Sequence, residues 1–159
     1  MYMKFYIKRD KTVGESLFVI FDEQGKEKYY VTGSKNTCHI SDTSGRVVVK
    51  IHRLPLPALK AFSISSGNYN IKFFVNTSSK TPSCYFYGNS WLIRGDIVTN
   101  IFDIIDSDNS LVAGHRISFS ENKCYELNVT NDRNVLFCLA VSICVDIEAK
   151  VDNPTLQTV

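Results

Sequence analysis

VLFCLAVSICV, residues Val135 to Val145, contains a single polar side chain, Ser142. A helix of this composition is apolar on every face and must be surrounded, by a protein core or by lipid. At about 1.5 Å per residue it would reach roughly 16 Å, half of a bilayer's hydrocarbon core, whereas a spanning helix needs about 20 residues. Asp146 and Glu148 bound the run on one side, Asp132 and Arg133 on the other. The stretch therefore reads as a helix closed off at Asp146 and enclosed by the preceding strands, not as a transmembrane segment. Thr130, Asn131 and Asp132 are its N-cap candidates.

Working back from the helix, the chain breaks into short runs rich in Tyr, Phe, Ile and Val, separated by Gly, Asn, Asp and Ser. Twelve strand candidates result: 2–8, 17–22, 28–33, 38–42, 46–53, 61–66, 69–76, 83–88, 90–95, 100–106, 111–118 and 124–129. Tyr69, Ile71, Phe73 and Val75 share one face, with Asn70 and Lys72 on the other. Val47, Val49 and Ile51 likewise oppose Lys50 and His52. One dry face and one wet face is the pattern of an antiparallel sheet or barrel. LFVIF (17–21) departs from it, being apolar on both faces.

A turn recurs. FDEQGK (21–26) and SDTSGR (41–46) each join two strands, and IDSDNS (105–110) is a third copy with Asn in place of Gly. Asp at the first turn position can accept backbone N–H groups further on, and Gly or Asn tolerates positive φ. The repeat is thus a hairpin turn before it is a metal site; an EF-hand needs a longer ligand series ending in Glu. Leu54-Pro55-Leu56-Pro57 stops the strand near Arg53, because Pro cannot donate to a ladder.

The chain has 159 residues, 44% of them hydrophobic, enough for one domain with a proper core. Residues 1–150 are read as that domain and 151–159 as a frayed tail. The net charge is +2, split as +5 over residues 1–60 and −3 over the remainder. That asymmetry permits a weakly basic face and falls short of a nucleic-acid-binding stripe. The N-terminus lacks the apolar run of a secretory signal. Five scattered cysteines without a C-x-x-C fit a reduced, cytoplasmic protein.

Catalytic signatures are absent: no G-x-S-x-G, G-x-G-x-x-G, Walker sequence or H-E-x-x-H occurs. His39, His52 and His115 read as strand-face histidines, Asp103, Asp106 and Asp108 as a solvated turn, and Trp91 as core packing. No catalytic residue, metal or cofactor is expected.

KFYIKRD (4–10), FVIFDEQGKEKYYV (18–31), WLIRGDIVTNIFDIID (91–106) and YELNVTNDRNVLFCLAVSICVDI (125–147) resemble, in this order, the LURP-one-related family. Its fold is similar to the Tubby C-terminal domain. The resemblance implies a mainly β protein: a twelve-stranded, largely antiparallel barrel closed around a hydrophobic C-terminal helix. SFSENK (118–123) lacks the aromatic-glycine character of the family, so no shared surface site is carried onto it. Tubby-like domains bind phosphoinositide head groups through basic residues, and the related scramblases act on membranes. That implies a non-enzymatic module docking on anionic lipid or a membrane-associated partner, peripheral at the membrane surface. The residues singled out for the head group are Lys50, His52, Arg53 and Lys60, beside Leu54, Leu56 and Leu59. A cytosolic interaction scaffold using strand 17–21 is the alternative, and a small-ligand barrel or enzyme the minor one.

Overall fold

Most strands turn their more buried side chains to one face, and that buried set faces one helix; the strands Ser83–Tyr87 and Leu92–Asp96 hold no fully buried residue. The structure, a computed structural model, describes residues 2–9, 16–34, 36–57, 59–76, 82–118 and 124–151. The loop 119–123 and the tail 152–159 therefore lie outside the described residues. The strands are β1 (Met3–Arg9), β2 (Ser16–Asp22), β3 (Glu27–Gly33), β4 (Thr37–Asp42), β5 (Val47–Leu54) and β6 (Lys60–Ser66). They continue with β7 (Tyr69–Asn76), β8 (Ser83–Tyr87), β9 (Leu92–Asp96), β10 (Ile101–Ile105), β11 (Leu111–Ser118) and β12 (Cys124–Val129). Each expected strand corresponds to one of these.

All neighbours pair antiparallel in the order β8-β7-β6-β5-β4-β3-β2-β1-β12-β11-β10-β9. The chain meanders, and the pairing of β1 with β12 (Phe5 opposite Leu127) joins its two ends. Consecutive strands β8 and β9 do not pair with each other. The expected closed barrel is therefore nearly closed, with a seam between β8 and β9. Trp91, as expected, is buried; it sits where these two strands part, edge-on to Phe86 at 5.9 Å.

The repeated turns behave as read. Asp22 Oδ1 accepts the backbone N–H groups of Gln24 and Lys26 at 2.9 Å, and Asp42 Oδ1 those of Ser44 and Arg46 at 3.0 Å. Gly25, Gly45 and Asn109 hold φ of 81°, 88° and 71°. Because strands alternate in direction, these turns gather at one end of the barrel. The Leu54–Pro57 bend lies at the other, level with the end of β1.

After β12 the chain turns at Asn131, whose side chain accepts the Arg133 N–H at 3.1 Å. A 3-10 turn over residues 132–134 leads into α1 (Val135–Val151), which runs back through the lumen. Cys138 to Ile147 are all buried, packed among Phe18, Phe62, Phe73 and Phe102, themselves fully buried. Each such side chain contributes roughly 1.5–3 kcal/mol by leaving water. In LFVIF, Phe18 and Ile20 join this core while Leu17, Val19 and Phe21 are half-buried on a strand paired on both sides. One expectation is corrected. The helix does not stop at Asp146 but continues to Val151, because Asp146 is a buried, ion-paired residue and not a solvated boundary.

Candidate functional site

Charge is distributed unequally over the outer surface. On the wall made by β1, β12, β11, β10 and β9, cations meet carboxylates: Lys4 with Glu126 at 2.8 Å, Arg116 with Asp103 at 2.9 Å, Arg94 with Asp103 at 3.2 Å. Gly114 leaves room for this, since a Cβ there would lie 3.3 Å from Asp103 Oδ1. A groove of about 510 Å³ crosses this wall between Lys4, Glu23, Arg94 and Arg116. Of the three aspartates read as a solvated turn, Asp106 and Asp108 bond within their turn, but Asp103 belongs to β10 and holds two arginines.

The wall formed by β5 to β8 contains no Asp or Glu. Pairing aligns Thr37, His52, Ser63, Lys72 and Tyr87 in one row across five strands. His39, Lys50, Ser65 and Asn70 form the next. Polar bonds knit the rows: Asn70 donates to Ser63 Oγ at 2.8 Å and Ser65 Oγ at 2.7 Å, and Lys72 Nζ donates to Asn70 Oδ1 at 3.1 Å. Thr37 Oγ1 and His52 Nδ1 lie 3.1 Å apart. Tyr85 and Tyr87 stand exposed beside them, Tyr87 at 71%.

The four basic residues singled out from the sequence divide between two faces. Lys50 and His52 point outward and are exposed. Arg53, one residue on, falls in the inward row opposite Phe62, with its guanidinium 5.8 Å from that ring. Lys60 stands opposite the buried Val75 in the same inward set. Strand alternation is the reason: Lys50 and His52 are two residues apart, Arg53 an odd step away. Lys72 was missed because it lies 22 positions from Lys50 in the chain and adjoins it only across β6.

A second cluster is buried at the end where β1 finishes. Arg9 Nη2 donates to Asp146 Oδ2 at 3.0 Å; the carboxylate is 2% exposed and the guanidinium side chain 33%. Arg9 also lies 4.9 Å over the Phe18 ring. Burial, and after it the nearby charge of Asp146, push the pKa of Tyr125 up. His115, 1% exposed, stacks on Phe102 at 4.6 Å and bonds the Asn100 carbonyl at 2.8 Å. Burial lowers its pKa from 6.5 to about 4, against smaller raising effects of the Asn100 bond and Asp146.

This depression has a direction. Above pH 6.5 His115 is neutral folded and unfolded; between pH 6.5 and 4 only the unfolded chain takes the proton, so stability drops as the pH is lowered. The expected loss is about 3 kcal/mol. Denaturant unfolding across this window should show that slope, and His115→Phe should flatten it. Asp42 and Asp108, lowered from 3.8 chiefly by the Ser44 and Ser110 hydroxyls of their turns, and Asp106, lowered chiefly by the Ser90 hydroxyl, act only below this window.

No group of three or more His, Cys, Asp or Glu among the described residues is arranged to hold a metal ion. No described helix is long and apolar enough to cross a membrane.

A nearly closed twelve-stranded barrel with its C-terminal helix enclosed defines a structural class that includes a crystallographically solved Arabidopsis thaliana protein. The two share 16% identity at a TM-score of 0.59, over 92% of this chain and 91% of that one. The LURP-one-related profile matches residues 3–146, and the chain belongs to that family. The uncharacterized protein YxjI of Bacillus subtilis (strain 168) is 23% identical over 149 residues, 91% of this chain and 92% of that protein.

Proposed function

We propose that this protein is a non-enzymatic binding module that docks on anionic lipid through the outer wall of β4 to β8, with Lys50, His52 and Lys72 toward the head groups. The observation that carries this reading is a wall whose strands β5 to β8 bring Lys50, Arg53, Lys60 and Lys72 and no carboxylate. Arg53 and Lys60 belong to the adjoining rim, beside the bend where Leu56 is exposed. Tyrosines with an apolar body and a polar tip, such as Tyr85 and Tyr87, suit a boundary between water and lipid. Resemblance to the Tubby-like fold supports the same reading by analogy of fold.

Co-sedimentation with phosphatidylcholine vesicles, with and without phosphatidylserine or phosphoinositide, tests it. Binding should require the anionic lipid and weaken with salt. Each lysine near such a surface contributes about 1 kcal/mol, so Lys50→Ala with Lys72→Ala should cost roughly 30-fold in affinity while leaving thermal unfolding unchanged. Equal recovery with neutral and anionic vesicles would sink the proposal.

A further inference from the structure

Among the described residues, four buried side-chain polar atoms have no hydrogen-bond partner: Arg9 Nε, Asn100 Oδ1, His115 Nε2 and Asp146 Oδ1. Such an atom has given up its water without a replacement bond, which is costly in a folded core. All four belong to the cluster at the end of β1, where Tyr125 touches Asn100, His115 and Asp146.

Their neighbours settle where the protons are. His115 Nδ1 faces the Asn100 carbonyl oxygen, which can only accept, so Nδ1 carries the hydrogen and Nε2 of the neutral ring is a bare lone pair. Tyr125 Oη accepts from Asn100 Nδ2 at 3.5 Å, which leaves Asn100 Oδ1 as an acceptor with no donor. Asp146 Oδ2 is occupied by Arg9, leaving Oδ1. Three acceptors and one donor, Arg9 Nε–H, therefore remain around an ion pair whose charges cancel.

We propose that this cluster is a binding site for a small neutral guest that donates O–H or N–H groups. A cation would lie against the Arg9 guanidinium, and an anion against Asp146 and two further lone pairs. A neutral molecule with at least two donor hydrogens and one acceptor serves both kinds of orphaned atom. Water is the smallest such guest, and buried waters make about three hydrogen bonds each; small alcohols and primary amides offer the same groups. The guest enters past Arg9, the partly exposed side of the cluster, and joins α1 to the walls contributed by β1 and β11.

The test uses the full chain labelled with nitrogen-15 and a high-resolution crystal structure grown without organic additives. The expected His115 spectrum has a protonated Nδ1 and an unprotonated Nε2 displaced from the free lone-pair position by an accepted hydrogen bond. The crystal should show non-protein density within hydrogen-bond distance of at least three of the four atoms. Titration with methanol or formamide separates the sources. Saturable movement of the His115 resonances assigns the site to small organic donors, no movement assigns it to water, and either supports the proposal. A free lone pair or a proton at Nε2, or four atoms bare or bonded directly to one another in the crystal, would overturn it.

Discussion

Leu139→Lys is expected to abolish the folded state. Leu139 is fully buried in the second turn of α1, with Cys138 and Ala140 equally inaccessible beside it. A lysine there cannot reach water along its stem, because the barrel wall surrounds the helix, and an unpaired charge in such surroundings costs far more than the few kcal/mol by which domains are stable. Leu139→Ala provides a graded companion. It removes buried methyl groups and leaves a cavity, costing about 2–5 kcal/mol. Far-ultraviolet circular dichroism and urea unfolding should show an unfolded Leu139→Lys chain and a folded but weakened Leu139→Ala chain. If the lysine variant keeps a native thermal transition, the helix is not enclosed.

Arg9→Met should destabilise the protein by about 3 kcal/mol, more than Asp146→Asn. Methionine keeps an apolar stem over Phe18 but removes the charge that pairs with Asp146, which is 1% exposed. Breaking a buried pair from one side costs about 3–5 kcal/mol; the lower end applies because Arg9 is a third exposed. Asp146→Asn instead leaves a guanidinium that can turn toward water. Joint replacement, Arg9→Met with Asp146→Leu, should recover part of the loss, since neither charge is then stranded. Denaturant midpoints at pH 7 measure all three. An Arg9→Met midpoint within about 0.5 kcal/mol of the parent would show that the pair contributes little.

Most of the candidate wall was only half legible. Lys50 and His52 share a face by alternation, which a single strand reveals. That Arg53 faces inward follows from the same rule, but its nearness in sequence masked it. Lys72 and the exposed tyrosines join Lys50 through the pairing of β5, β6, β7 and β8, and no local pattern encodes that neighbourhood. The polar cluster was less legible still. His115 read as an ordinary strand histidine and Asp146 as a solvated helix end, because a charged residue after an apolar run ordinarily marks the exit to water.

The amino-acid sequence by itself determined which segments are strands, where Asp-x-x-Gly turns reverse them, and that an apolar helix too short for a bilayer had to be enclosed. These are local matters: side-chain periodicity and turn chemistry act over a few residues, so a few residues display them. The tertiary structure alone decided that β1 pairs with β12, that the seam falls between β8 and β9, and that Arg9 meets Asp146 across 137 positions. Those outcomes depend on how the strands close around the helix, where burial and ion pairing are shared among residues that no sequence window contains.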